Sequence, residues 1–334
     1  RTVSRGLGDV YKRQMRSFKK ITNKKAITKD RIKVDVMCNL ELSEEVKLLN
    51  DSSDGVGLFR TEYLYMNRDD TPTEHEQYQA YSKVFKKVNG KPVTLRTLDI
   101  GSDKEVSENM KVGQIAKNPA LGMRGIRYSL YEKNLFKVQI KAMLRAAKNG
   151  KLRILIPMIT TLDEINKAKD LIDEAKAELI KENKSFNRKY EVGIMIEVPA
   201  SAIQSNVLSK NVDFMSIGTN DLVQYILAID RVDDEVTSLY DPTNPAVLQL
   251  IKQVIGTCNR SRIDITVCGE MAGEKMYTKL LLGLGLTSFS MHPQAIPEIK
   301  KIIMETDTKA LKTKINTILR CNDYNKRLKI IQSL

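Results

Sequence analysis

The stretch EVGIMIEVPASAIQSNVLSKNVDFMSIGTNDL, residues 191–222, contains the pattern that decides the fold. It begins with a nearly continuous apolar run at 191–198 and reaches a second apolar run at 212–218 through a segment with a helical pattern. Such runs are typical of parallel strands that are covered on both faces, whereas a half-exposed strand alternates apolar and polar residues. The stretch therefore predicts a strand–helix–strand unit of a parallel sheet.

Six further apolar runs have the same character, at 34–39, 55–60, 92–99, 152–158, 264–270 and 287–291. Helical patterns separate the runs, and two of them open with a capping box, Thr73-x-x-Glu76 and Thr161-x-x-Glu164. Eight strands that alternate with helices over about 300 residues predict an α/β fold, a single (β/α)8 or TIM barrel. An open doubly wound sheet is the second possibility, but no Gly-x-Gly-x-x-Gly follows the first strand.

Composition narrows the class of protein. The 334 residues are 42% hydrophobic and carry a net charge of +14. No apolar run reaches the roughly 18 residues of a membrane span, and no signal-peptide core lies near the start, so we expect a cytoplasmic protein without membrane insertion. The positive charge is mixed with Glu and Asp and no basic patch with interleaved aromatic residues accompanies it, so we expect no nucleic-acid partner. The four cysteines form no Cys-x-x-Cys pair, which argues against a zinc site.

The chain divides into three parts on its sequence pattern. Residues 1–14 lack apolar periodicity and precede Met15, so we expect a non-native remnant or a disordered stub. Residues 15–32 are basic and are interpreted as a linker that leads into the fold. Residues 33–334 hold the strand–helix alternation and are predicted to form the barrel.

In a (β/α)8 barrel the chemistry lies at the carboxyl ends of the strands, and four arginines fall at or after those ends. Arg60 and Arg96 end two apolar runs, while Arg124 and Arg231 lie in loops that follow strands. A guanidinium group makes bidentate contacts with phosphate or carboxylate. The alternative is internal ion pairing with acidic neighbours: Glu62, Asp99 or Asp230. We favour an oxygen-rich anionic ligand because several arginines converge on one rim.

Two carboxylates and one cysteine share this rim. Glu197 and Asp221 follow neighbouring strands, where their oxygens are suitable ligands for Mg2+; ion pairs with the rim arginines are the alternative. Cys38 and Cys258 are interpreted as packing residues. Cys268 differs from them because it stands at a strand-to-loop junction, where it can exchange a proton or act as a nucleophile.

Several segments resemble, in the same order along the chain, the signature segments of the enzyme I family of the bacterial phosphotransferase system, which are phosphoenolpyruvate–protein phosphotransferases. The segments are GVGLFRTEYLYMNRDDTPTEHEQYQAY, RTLDIGSDKE, NPALGMRGIR, IEVPAS, SIGTNDLVQYILAIDR and VCGEMAGE. The resemblance covers about residues 33–305. Pyruvate phosphate dikinase and phosphoenolpyruvate synthase are similar at GTNDL and CGE, and the segment RTLDIGSDK favours enzyme I over them.

The resemblance implies a role for each matching position. Three arginines and an asparagine would bind the phosphate and carboxylate of phosphoenolpyruvate: Arg60, Arg96, Arg231 and Asn220. Two further cations would neutralise the phosphate: Lys104 and Arg124. Glu197 and Asp221 would bind Mg2+, and Asp221 would also belong to the substrate site. Cys268 would protonate the enolate that becomes pyruvate. Positioning and charge neutralisation of this kind are what phosphoryl transfer requires.

The resemblance also implies partners. The phosphoryl acceptor would be a histidine on an N-terminal phosphohistidine domain, and through it the HPr carrier protein of a sugar-transport system; a homodimer is also implied. We find no such histidine-bearing segment here, so we expect a C-terminal half that is incomplete for autophosphorylation. Two positions depart from the family pattern: Ser102 replaces a usual glycine, and His292 lies where small residues are usual. A non-catalytic phosphoenolpyruvate-sensing module and a dikinase-type barrel remain as alternatives.

Overall fold

The structure, a computed structural model, describes residues 24–41, 43–49, 52–100 and 118–334. Nine strands occur in this part of the chain: β1 (Ala26–Ile27), β2 (Lys33–Leu40), β3 (Val56–Arg60), β4 (Pro92–Arg96), β5 (Lys151–Ile156), β6 (Tyr190–Ile196), β7 (Phe214–Ile217), β8 (Asp264–Val267) and β9 (Ser288–Met291). Strands β2 to β9 pair in parallel in chain order, and β9 pairs with β2 to close the ring. The predicted (β/α)8 barrel is confirmed, and each of its strands lies on a predicted apolar run. Strand β1 pairs antiparallel with β2.

Helices surround the barrel in the described ranges: α1 (Glu74–Val88), α2 (Ile126–Tyr131), α3 (Lys133–Ala146), α4 (Leu162–Lys181), α5 (Pro199–Ile203), α6 (Ser205–Leu208), α7 (Thr219–Leu227), α8 (Pro245–Ser261), α9 (Lys275–Gly283), α10 (Ile296–Glu305), α11 (Thr308–Arg320) and α12 (Tyr324–Gln332). Both predicted capping boxes are present, at Thr73 before α1 and at Thr161 before α4. No helix in the described ranges is long and apolar enough to cross a bilayer.

Side chains along each strand alternate between two environments, as the period of a β-strand requires. On β6, Val192, Ile194 and Ile196 belong to the large core shared with the helices. The residues of opposite parity pack inside the barrel, in a small apolar cluster: Leu58, Leu155, Met195, Phe214 and Cys268. Gly193 leaves room for the Phe214 ring, because a Cβ atom there would lie 2.5 Å from ring atoms. The barrel is therefore a packed core with polar groups at its two ends.

The amino end of the barrel holds one buried arginine, Arg153 on β5. Its guanidinium lies 4.0 Å from the centroid of the Phe214 ring. It also pairs with Glu191 on the neighbouring strand β6 at 2.9 Å and with Asp264, the first residue of β8, at 3.2 Å. The Arg153 side chain and its partners fill the amino end of the barrel interior. The cavity opens at the opposite end.

Candidate active site at the carboxyl ends of the strands

A cavity of about 350 Å³ opens at the carboxyl ends of the strands. It brings together the predicted site residues that the structure describes: Arg60, Arg96, Arg124, Glu197, Asn220, Asp221, Arg231 and Cys268. Lys104 and Ser102 lie outside the described residues. His292 is exposed and is not among the residues that line this cavity. Strand parity explains the convergence, because Arg96, Glu197 and Cys268 continue the interior-facing positions of their strands.

Two buried arginines anchor the cavity through carboxylates. Arg96 pairs with Glu62 and, at 3.0 Å, with Asp99. Arg124 contacts Asp99 at 3.0 Å through Nε and Asp221 at 2.9 Å through Nη2. The ion-pair alternative considered for these arginines is therefore present in the structure. These ion pairs line a cavity, so they also fix the orientation of the two guanidinium groups for contact with a ligand in it.

Three carboxylates meet at the base of the cavity. Oxygen atoms of Asp99, Glu197 and Asp221 lie within 4.8 Å of one another, and all three side chains are buried. Glu197 also accepts a hydrogen bond of 2.6 Å from the backbone N–H of Met158, which has a left-handed φ of 59°. Burial, and then repulsion from Asp99 and Asp221, raise the pKa of Glu197 to about 8 against the pull of the neighbouring arginines. The cluster has the oxygen donors that bind Mg2+.

Asp99 is the member of this cluster that was not predicted as a metal ligand. It follows β4 by three residues, so its place after a strand end is visible in the sequence, where it was considered only as a partner for arginine. Its proximity to Glu197 and Asp221 depends on how residues 97–100, directly after β4, pack against the ends of the other strands, and no spacing in the sequence reports that. The structure thus extends the predicted pair of carboxylates to three.

The two outer arginines are more accessible. The Arg60 side chain is 32% exposed and pairs with Glu41 at 2.7 Å. The Arg231 side chain is 39% exposed and its closest carboxylate oxygen, on Glu270, lies 3.7 Å away. Both can leave these exposed partners at low cost, because surface ion pairs contribute little. The cavity therefore combines two fixed guanidinium groups with two that are free to close on a ligand.

The first turn of α7 places Asn220 and Asp221 at the rim. The Asn220 amide donates to Glu270 Oε1 at 2.8 Å and accepts from the Glu270 backbone N–H at 2.9 Å. The loop at Gly269 packs closely on this turn, since a Cβ atom there would lie 2.0 Å from Thr219 Oγ1. The Tyr240 hydroxyl donates to the Asn220 carbonyl at 3.2 Å. Asn220 is thus fixed in orientation from two sides.

Cys268 lies between the apolar interior and the cavity. It is 3% exposed, belongs to the interior cluster and also lines the cavity. The Ser216 hydroxyl donates to its sulfur at 3.1 Å. Burial raises the pKa of the Cys268 thiol, so the group carries its proton at neutral pH. Cys38 and Cys258 face the helix-side core instead, which agrees with their interpretation as packing residues.

The fold and the cavity define a (β/α)8-barrel protein with a cluster of arginines and carboxylates where barrels of this kind hold their active sites. A family model described as PEP-utilising enzyme, PEP-binding domain, matches residues 15–308. The chain belongs to this family, which confirms the resemblance of its sequence segments.

The curated relatives carry one name. The chain is 40% identical to a phosphoenolpyruvate-protein phosphotransferase from Cupriavidus necator over 323 residues, which are 96% of this chain and 55% of the relative. It is 42% identical to the protein of the same name from Bacillus subtilis over 289 residues, 86% of this chain and 50% of the relative. The chain therefore spans about half the length of the curated relatives it matches.

Proposed function

We propose that this chain is the phosphoenolpyruvate-binding barrel of a phosphoenolpyruvate–protein phosphotransferase. In this reaction the phosphoryl group passes from phosphoenolpyruvate to a histidine of another domain, and the enolate left behind becomes pyruvate. The observation that carries the proposal is the cavity itself, in which four arginines, a cluster of three buried carboxylates and a protonated thiol line a space of about 350 Å³. The names of the curated relatives favour this reading over a dikinase-type barrel.

In this proposal the arginines bind the substrate. Arg60 and Arg231, which are accessible, close on the phosphate and carboxylate of phosphoenolpyruvate. The Arg96 guanidinium is held in place by Glu62 and Asp99. Its Nε has no hydrogen-bond partner among the described residues and is therefore available to a ligand. Asn220 assists from the rim. Arg124 and Lys104 are proposed to add positive charge near the phosphate; Arg124 does so from its position between Asp99 and Asp221.

The acidic cluster is the proposed Mg2+ site. Glu197 and Asp221 would hold the ion, and Asp99 stands close enough to contribute. The residues fit a divalent cation because three buried carboxylates repel one another, and this repulsion contributes to the raised pKa of Glu197. When bound, Mg2+ supplies Lewis-acid stabilisation of charge on phosphoryl oxygens.

Cys268 is the proposed proton donor. Its thiol gives a proton to the methylene carbon of the enolate, which becomes the methyl group of pyruvate, and solvent later returns a proton to the sulfur. The Ser216 hydroxyl, 3.1 Å from the sulfur, stabilises the thiolate in between. Burial keeps the thiol protonated before the reaction.

The partners follow from the same proposal. The acceptor is a histidine on the phosphohistidine domain of the full-length enzyme, which then passes the phosphoryl group to the HPr carrier protein of a sugar-transport system in the cytoplasm. A homodimer is the proposed assembly. The barrel boundaries at 33–334, with residues 1–14 and 15–32 outside the catalytic fold, are part of this proposal.

Calorimetry with phosphoenolpyruvate and Mg2+ tests the site. We expect Arg60→Ala or Arg231→Ala to weaken binding by tens- to thousands-fold, because a lost bidentate contact in such a site costs about 2–5 kcal/mol. Arg→Lys should not restore it, since an ammonium group lacks the planar fork. Arg188→Ala, an exposed arginine at the amino end, is the matched control. Wild-type affinity in both site variants would refute the proposed binding mode.

A further inference from the structure

A second cavity lies at the amino end of the barrel, on the opposite side from the candidate active site. It has a volume of about 570 Å³ and lies where the chain leaves α1, α3 and α4 and turns back toward β4, β5 and β6. We call it the basic groove, after the cations that line it: Lys86, Lys91, Arg145, Lys148 and Lys184. No Asp or Glu is among the described residues that line it.

Part of this charge is already compensated. Arg145 and Lys184 both reach Glu74 from the side of the groove, and Lys184 also contacts Glu182 at 2.7 Å. Lys91 donates to a backbone carbonyl, that of Ser53, at 2.7 Å. Neither of the remaining lysines, Lys86 and Lys148, forms an ion pair with a carboxylate of the described residues. The groove therefore holds more positive charge than its neighbours neutralise.

Basic residues at the ends of helices are common, because the carboxyl end of a helix carries a partial negative charge of about half an elementary unit. Three helix ends at the groove account for somewhat more than one charge in this way. Adding the Glu74 and Glu182 carboxylates still leaves an excess of about one to two positive charges in the groove. Helix capping thus explains some of the cations, and a ligand of opposite charge would neutralise the remainder.

The groove also has neutral groups that suit such a ligand. The hydroxyls of Ser82 and Ser185 and the amide of Asn149 line it and can donate hydrogen bonds to phosphate oxygens. Its cations come from three separate segments and line a cavity of about 570 Å³. An extended anion with several charges can contact more of these groups than a single phosphate can.

We propose that the basic groove binds a small anion with two or more phosphate groups, at a site separate from the candidate active site. The probe that tests it is inorganic tripolyphosphate, titrated by calorimetry into the whole chain at low ionic strength. EDTA is present so that no divalent cation at the acidic cluster contributes to binding. We expect saturable binding that weakens as salt is added, because the groove is open to solvent.

The decisive comparison uses two matched double variants. Lys86→Gln with Lys148→Gln should weaken tripolyphosphate binding about tenfold, the effect of two exposed charge contacts. Lys210→Gln with Lys252→Gln removes the same charge from exposed positions outside the groove and should leave binding unchanged. All four lysines are exposed, and circular dichroism checks that each variant is folded. Equal binding by both double variants would show that only the overall charge matters and would overturn the proposal.

Two further arms locate and identify the ligand. Arg60→Ala should bind tripolyphosphate as the wild type does; loss of binding there would place the anion in the candidate active site and would also overturn the proposal. ATP and adenosine then separate the sources of the phosphate. Tighter binding of ATP than of tripolyphosphate supports a nucleoside polyphosphate, and equal binding supports a polyphosphate chain alone.

Discussion

Buried arginines lie at both ends of the barrel, and their partners differ. Arg153 at the amino end pairs with side chains that are 52% and 75% exposed, on Glu191 and Asp264. Arg96 at the carboxyl end pairs with Glu62 and Asp99, whose side chains are 3% and 1% exposed. Desolvating both members of an ion pair costs more than the attraction returns in many proteins. The carboxyl end therefore holds fully buried ion pairs, which stability alone does not favour. The amino end avoids this cost because the carboxylates there remain in contact with water.

The largest expected effect is on the reaction rate, and it tests whether only the carboxyl end of the barrel is catalytic. Cys268→Ala should lower the rate of pyruvate formation about 10²–10⁴-fold, the usual contribution of a general acid, at a cost of about 1 kcal/mol in stability. Thr266→Val, two residues earlier, on β8 itself and closer to the amino end, is the control and should keep the rate. The assay supplies the histidine-bearing domain as a separate chain.

A second readout needs no acceptor. Wild type and Thr266→Val should exchange the methyl protons of pyruvate in D2O with Mg2+, and Cys268→Ala should not. If Cys268→Ala matches wild type in both assays, the cysteine is a packing residue and the proton comes from another group.

The next prediction compares the two buried arginines directly. Arg96→Met should lower the free energy of unfolding by about 3–5 kcal/mol, because it removes the cation that the buried carboxylates of Glu62 and Asp99 share. Arg153→Met should cost only about 1–2 kcal/mol, because Glu191 and Asp264 can turn to water. Urea denaturation measures both. Adding Glu62→Gln to Arg96→Met should restore part of the loss, whereas equal losses for the two single variants would remove the distinction between the ends.

The smallest effect concerns pH. Folding raises the pKa of Glu197 from 4.5 to about 8, so the folded state holds a proton that the unfolded chain releases. The stability contributed by this group is therefore present below about pH 4.5 and is lost as the pH rises toward 8. In metal-free buffer, Glu197→Gln should raise the free energy of unfolding by about 1 kcal/mol at pH 8, with a smaller gain at pH 5. Glu191→Gln at the amino end should show no gain at either pH.

The sequence predicted the fold because strand runs and capping boxes depend on neighbours in the chain. It also predicted that Arg96, Glu197 and Cys268 lie at the carboxyl ends of their strands, and all three line the cavity there. It could not predict how these groups pair. Arg124 contacts Asp221 across 97 positions, and Asp99 lies close to Glu197 and Asp221, which are distant from it in the chain. Contacts of this kind depend on tertiary packing and leave no spacing pattern.

The pairing of β2 with β9 has a consequence for how the molecule forms. Asp35 pairs with Ser288, so the ring closes between segments from the two extremes of the barrel sequence. Next to this seam, the Asn39 amide donates to the Cys268 carbonyl at 3.0 Å and accepts from the Ser290 hydroxyl at 2.6 Å. Until the ends meet, the sheet has two open edges that can pair with other chains, and the loop-closure entropy of a long chain opposes their meeting. The thiol side of the cavity is therefore tied to the closure of the ring, because Asn39 on β2 holds the Cys268 carbonyl only when β2 and β9 have met.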